Sequence, residues 1–225
     1  MHQVFSIEES LKFGWQKTKT HSTILFQVLL TIFALNVVFQ IVDKVLQDTA
    51  MGFLASVILS VASVVINIGF MIIALKIARG EEAVYKDIIP PAQLVWSVFI
   101  ASFLVGILVL VGLVFLIVPG VYFALRFSMA SYAVIDGARV LESFKKSTEL
   151  TEGYKWQLLG LFLVFLLINI IGAIPFGLGL LVTIPVTMIA SAHVYQSLKN
   201  RPREALAAHS HEGHERHDHS GHDHA

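Results

Sequence analysis

IVPGVYFALRFSMASYAVIDGARVLESFKKSTELTEG, residues Ile117–Gly153, decides how the rest of this 225-residue chain is read. It opens with Pro119-Gly120 between two apolar runs, holds a lone arginine, Arg126, inside the second run, and leaves that run at Asp136-Gly137 for a charged amphipathic segment. Two apolar runs joined by an uncharged Pro-Gly turn, with positive charge gathered at the far end, form the pattern of a helical hairpin placed in lipid.

Working outward, the same alternation recurs along the chain. Val4, Ile7, Leu11 and Trp15 fall on one face of an N-terminal helix, with Glu8, Glu9, Lys12, Gln16 and Lys19 over the rest, which predicts an interfacial amphipathic helix within residues 1–22. The apolar run that follows, Thr23 to Val42, is too long for the apolar region of a cleaved signal peptide and reads as a first span. A second span is expected over Gly52–Ala78, then a short helix over Glu81–Ile89 stopped by Pro90-Pro91. The third span is expected over Gln93–Val118, with the turn at Pro119-Gly120 and the fourth span continuing to Ile135. An amphipathic segment at Ala138–Leu150, a fifth span at Trp156–Ile174, an uncharged turn at Pro175-Phe176-Gly177 and a sixth span ending near Leu198 complete the pattern. The expected fold is an all-α, polytopic bundle of six transmembrane helices arranged as three hairpins over residues 23–198.

Composition agrees. Hydrophobic residues make up 56% of the chain and charged ones 14%, against about 45–50% and about 25% in soluble domains. Formal net charge is zero, so nothing points to nucleic acid. The chain has no cysteine, which excludes disulfides, thiolate metal sites and thiol catalysis.

Loop charges predict orientation. Lys12, Lys17 and Lys19 precede the first span, Lys76, Arg79 and Lys86 lie between the second and third, Arg139, Lys145, Lys146 and Lys155 between the fourth and fifth, and Lys199, Arg201 and Arg203 follow the sixth. The intervening connections hold only Lys44. By the positive-inside rule this is a multi-pass membrane protein of six spans with both termini cytoplasmic.

An internal repeat is visible as well. Glu9-Ser10-Leu11-Lys12 ahead of the first span matches Glu142-Ser143-Phe144-Lys145 ahead of the fifth, and the same offset carries Asn36 onto Asn169. Coincidence in an apolar alphabet is one account. A parallel duplication is the other, and it implies three units of interfacial helix plus hairpin with a degenerate middle one.

Polar side chains inside the spans are the membrane-embedded ligand-binding candidates: Arg126, Asn36, Asn67 and Asn169. Arg126 costs roughly 2.5–3.5 kcal/mol on the insertion scale, while each apolar neighbour returns about 0.3–0.6 kcal/mol. The fourth span is therefore near break-even alone and is expected to insert together with the third. No Asp or Glu lies deep in a span, so the guanidinium must find another partner. Those available are Asn36, Gln40, Asn67 and Asn169, helix carbonyls, water or a lipid phosphate. A hydrogen bond that locks the bundle, an anionic ligand or water-filled cavity, and snorkelling to an interface are the three readings.

Enzyme signatures are missing. Asp136-Gly137-Ala138-Arg139 is similar to the opening of the alcohol phosphatidyltransferase motif, but the later Gly and two Asp at fixed spacing do not follow. His211-Glu212-Gly213-His214 departs from H-E-x-x-H because Glu215 stands where the second His is needed. No enzymatic activity is expected. The tail, residues 199–225, is different: His209, His211, His214, His217, His219, His222 and His224 alternate with Glu212, Glu215, Asp218 and Asp223. Such a segment has nothing to bury and is expected to be a disordered cytoplasmic tail whose imidazoles bind Zn, Ni or Cu.

The amphipathic start, the stretch Ile117–Gly137 and Leu141–Gly153 before another span together resemble the membrane domain found beside glycerophosphoryl diester phosphodiesterases and related stand-alone bacterial inner-membrane proteins. Pro119-Gly120, Arg126, Ser147-Thr148-Glu149-Leu150-Thr151 and Gly153 carry the resemblance over most of residues 5–198. It implies a six-helix membrane domain without a settled activity. The phosphodiesterase barrel is absent, so that activity does not carry over. The expected role is a non-enzymatic module that binds membrane lipid or a protein partner, and the alternative is a divalent-metal transporter or buffer using the tail.

Overall fold

A computed structural model of the chain describes residues 4–46, 49–115, 117–174 and 179–201. Among these residues the fold is an all-α bundle, and six segments are long and apolar enough to cross a membrane: Ser22–Val45, Ala50–Arg79, Ala92–Val114, Val118–Ile135, Lys155–Ala173 and Leu180–Lys199. Only 17% to 39% of each span's most apolar window is buried within the protein. Phe33, Phe53, Phe103, Val114 and Ile171 all point outward. Water would not tolerate so continuous an apolar exterior, whereas acyl chains would.

The helices are α1 Ile7–Thr20, α2 Ser22–Val45, α3 Ala50–Arg79, α4 Ala92–Phe115, α5 Ile117–Arg126, α6 Ala130–Ile135, α7 Val140–Thr151, α8 Lys155–Ala173 and α9 Leu180–Lys199. The segment before α4 forms only a 3₁₀ turn, Tyr85–Ile88, rather than the longer helix expected over Glu81–Ile89. Asp87 explains the short length: its carboxylate accepts from the backbone N–H of Val84 at 3.0 Å and from Lys76 at 2.8 Å, which fixes residue 84 as extended backbone ahead of the turn.

Pro119-Gly120 does not turn the chain. Both residues lie inside α5, and Pro119 sits third in it, where its missing N–H is not needed by the helical ladder. Gly120 serves the hairpin differently: a Cβ added at Gly112 would lie 2.8 Å from the Gly120 Cα. The two helices close on each other at this point because neither carries a side chain there. The expected turn at Pro175-Phe176-Gly177 lies outside the described residues.

The hairpins share one basic end, as the charge alternation requires. The C-terminal ends of α3, α6 and α9 meet there, since Asp136, just past α6, pairs with Arg79 at the end of α3 and with Lys199 at the end of α9. The core gathers toward the same end, with Phe70, Ile73, Leu75 and Ile77 of α3 against Leu158 and Leu161 of α8 and Ile189 and Leu198 of α9.

Burial follows the internal repeat. Helices α2 and α8 begin at Ser22 and Lys155, the positions that the offset of Ser10 onto Ser143 brings together. Ser10 and Gly14 on α1 correspond to Ser143 and Ser147 on α7, and all four are buried. Leu25 and Val28 correspond to Leu158 and Leu161, again all buried. Asn36 and Asn169 each donate to the carbonyl four residues earlier, Ile32 and Phe165. The matched units thus share inward-facing positions, while the asparagine bond to the carbonyl four residues back is also made by Asn67 outside them.

In the first unit, α1 docks along α9. A Cβ at Gly14 would lie 2.5 Å from the Val186 carbonyl oxygen, so only glycine permits this approach. Phe13 stacks on His193 with ring centroids 4.2 Å apart.

Candidate functional site

The fourth span is broken, and the break holds the lone arginine. Helix α5 ends at Arg126, residues 127–129 form turns, and α6 resumes at Ala130. The Arg126 carbonyl instead accepts from Ser147 Oγ at 2.9 Å and Thr151 Oγ1 at 3.2 Å, both on α7. The backbone N–H of Met129 donates to Ser147 Oγ at 3.2 Å. Backbone groups freed by a broken helix must be satisfied by neighbouring side chains when water is excluded, and α7 supplies two hydroxyls for that purpose.

The Arg126 side chain follows its backbone toward α7 and not into the bundle centre. Nε donates to Thr148 Oγ1 at 3.2 Å, and Nη1 donates to Tyr122 Oη, one turn back on α5, at 3.2 Å. Lys155, the first residue of α8, donates to the same Tyr122 oxygen at 3.1 Å. Through Tyr122, Arg126 is joined to Lys155 at the start of α8. Trp156, adjoining Lys155, is 84% exposed, and Trp96, near the start of α4, is 64% exposed. Indole rings at the starts of inbound helices mark the level where hydrocarbon gives way to headgroups.

None of the hydrogen bonds among the described residues joins Arg126 to Asn36, Asn67 or Asn169. Asn36 and Asn67 donate within their own helices, to Ile32 and Ser63. Asn169 also accepts from Thr183 Oγ1 at 2.9 Å, which ties α8 to α9.

Asp136 is the residue that sequence reasoning passed over. Its carboxylate accepts from Arg79, Lys199 and the Tyr195 hydroxyl, the last at 2.9 Å. Burial alone would raise the pKa of this group, but the hydrogen bonds from Lys199 and Tyr195 and the charge of Arg79 outweigh it and hold the carboxyl below its usual range. One anion thus fastens one helix end from each hairpin.

Between α3 and α4, backed by Ser131 and Met188, lies an open groove of about 760 Å³. Its walls are mainly apolar, Met71, Phe99 and Phe103 among them, with Ser63, Asn67 and Ser102 as polar contributors. Ser102 and Ser131 share a hydrogen bond at 3.0 Å across its floor.

Residues 53–202 match a family described as protein of unknown function (DUF975). The chain belongs to this family. No curated protein and no solved structure matches the chain. The match supports membership of an uncharacterised family and shows no link to glycerophosphoryl diester phosphodiesterases. The DUF975 region contains the broken span, Asp136, the groove and α7, whereas α1 with Gly14 lies before it and docks onto α9 inside it. The histidines proposed as metal ligands, His209 to His224, lie outside the described residues. Among the described residues no group of three or more His, Asp or Glu side chains could hold a metal ion.

Proposed function

We propose that the chain is a non-enzymatic multi-pass membrane module of the bacterial inner membrane, with both termini cytoplasmic, that binds lipid in the groove between α3 and α4. The observation that carries this reading is the groove itself: a mostly apolar, open cleft between two candidate spans, with an amide and hydroxyls spaced along it. Acyl chains fit the apolar walls, and the Asn67 and Ser63 side chains suit ester oxygens. Orientation rests on the basic connections, and kinship with the phosphodiesterase-associated membrane domain rests on Pro119-Gly120, Arg126 and the Ser147–Gly153 segment.

Gly106 gives the test. It lines the groove, and a Cβ added there meets no atom within 4 Å. Gly106→Phe is therefore expected to fill the groove without disturbing the fold and to lower the lipid retained by purified protein, read by native mass spectrometry. Unchanged lipid retention in a monodisperse Gly106→Phe protein would overturn the reading. A second reading, collection of divalent metal by the tail, rests on the seven histidines between His209 and His224.

A further inference from the structure

We infer that Arg126, Lys155 and Tyr122 form a binding site for a phosphate anion, and that its source is the headgroup of an anionic phospholipid. The inference shares with the proposed function the reading that lipid is the ligand, but it uses another face of the molecule and another part of the lipid.

The geometry at Tyr122 carries it. The phenol oxygen accepts from two cations, Arg126 Nη1 at 3.2 Å and Lys155 Nζ at 3.1 Å. With both lone pairs engaged, its own O–H must donate outward. The guanidinium has further N–H groups beyond those bound to Thr148 and Tyr122, and the ammonium has two beyond its bond to Tyr122. Among the described residues, no carboxylate pairs with either cation. Two positive charges and a hydroxyl proton therefore converge with only the neutral Tyr122 oxygen and ring between them. An anion would offset their mutual repulsion, and a phosphate offers enough oxygens for all three donors.

Position selects the source. The cluster reaches Lys155, the first residue of α8, and the exposed Trp156 ring beside it suits the headgroup level. Phosphates of the bilayer lie at that depth in high local concentration. The α7 hydroxyls make the site rigid: Ser147 and Thr151 hold the Arg126 backbone while Thr148 orients its side chain.

The full chain, purified in neutral detergent, would be incubated with equimolar phosphatidylglycerol and phosphatidylcholine and examined by native mass spectrometry. A single phosphatidylglycerol adduct retained over phosphatidylcholine is expected, falling at least five-fold in Lys155→Gln and also reduced in Tyr122→Phe. Lys155 is on the surface, so these variants keep the site testable if Arg126→Gln fails to fold. Absence of preference for phosphatidylglycerol, or an adduct unchanged in both variants, overturns the site. Displacement of the adduct by millimolar inorganic phosphate, with phosphate saturating lipid-free protein, would make the free anion the ligand and overturn the headgroup source. Gly106→Phe separates the two proposals, since it should leave the phosphatidylglycerol preference intact while lowering total lipid.

Discussion

Replacing Asp136 by asparagine keeps the shape of the side chain and removes the negative charge that pairs with both Arg79 and Lys199, leaving Arg79 only its longer 3.8 Å pair with the more exposed Glu81. Two unit charges about 4 Å apart in a medium of effective dielectric about 20 interact by about 4 kcal/mol. Losing one partner of a buried pair costs about 3–5 kcal/mol because the other charge is stranded. Here the loss is smaller: the Lys199 side chain is 46% exposed and rehydrates, while Arg79 at 25% and Asp136 at 16% are more enclosed. A net loss of about 2–3 kcal/mol follows, and at about 2–4 °C per kcal/mol for a chain of this size the midpoint should fall by about 5–10 °C. Fluorescence-detected size exclusion after heating, in one detergent, reads this directly. Glu8→Gln is the control, because the Glu8–Lys12 pair is 76% and 69% exposed and should contribute almost nothing. The pH dependence has a definite sign. A carboxyl held below its ordinary value of about 3.9 contributes in full above that value and loses its contribution as pH falls through the lowered one. The parent protein should therefore lose stability below about pH 4 by a component that Asp136→Asn lacks. A variant within about 1 °C of the parent at neutral pH, where the paired state is complete, would refute the account of Asp136 as the fastener of the three hairpins.

The α1–α9 contact makes a separate prediction. Gly14→Leu forces a side chain into the Val186 carbonyl, costing about 1–3 kcal/mol of overpacking and lifting α1 from its seat. Because the chain has no cysteine, a single Ser10→Cys at the buried face reports the seat: maleimide labelling should be slow in the Gly14 background and fast with Gly14→Leu, and equal rates would refute the docking. Truncation after Pro202 should remove zinc binding while membrane insertion persists; zinc held with unchanged affinity by the truncated protein would place the metal site in the bundle.

The six spans and their shared basic end were legible because length, hydropathy and charge alternation are local properties of the chain. The repeat was legible in a few side chains, and the matching burial of Ser10, Gly14, Leu25 and Val28 with Ser143, Ser147, Leu158 and Leu161 gives it physical content. Pro119 misled because proline in a first helical turn looks the same in sequence as proline in a loop. The break after Arg126 was not legible: residues 127–129 contain neither Gly nor Pro, and the helix parts because Ser147 and Thr151 capture the carbonyl that would have continued it. The only trace was the co-occurrence of Arg126 with a Ser/Thr-rich segment downstream. Asp136 resembled a loop residue because its partners stand 57 and 63 positions away, beyond the reach of any local pattern.

Two hydroxyls on α7 complete the backbone bonding of a helix that precedes them in the chain. During synthesis, until α7 emerges, the Arg126 carbonyl can accept from the N–H four residues on as in an unbroken helix, and the break forms when the two hydroxyls arrive. The order of translation thus sets the order of assembly, with the shape of the second hairpin fixed by the opening of the third.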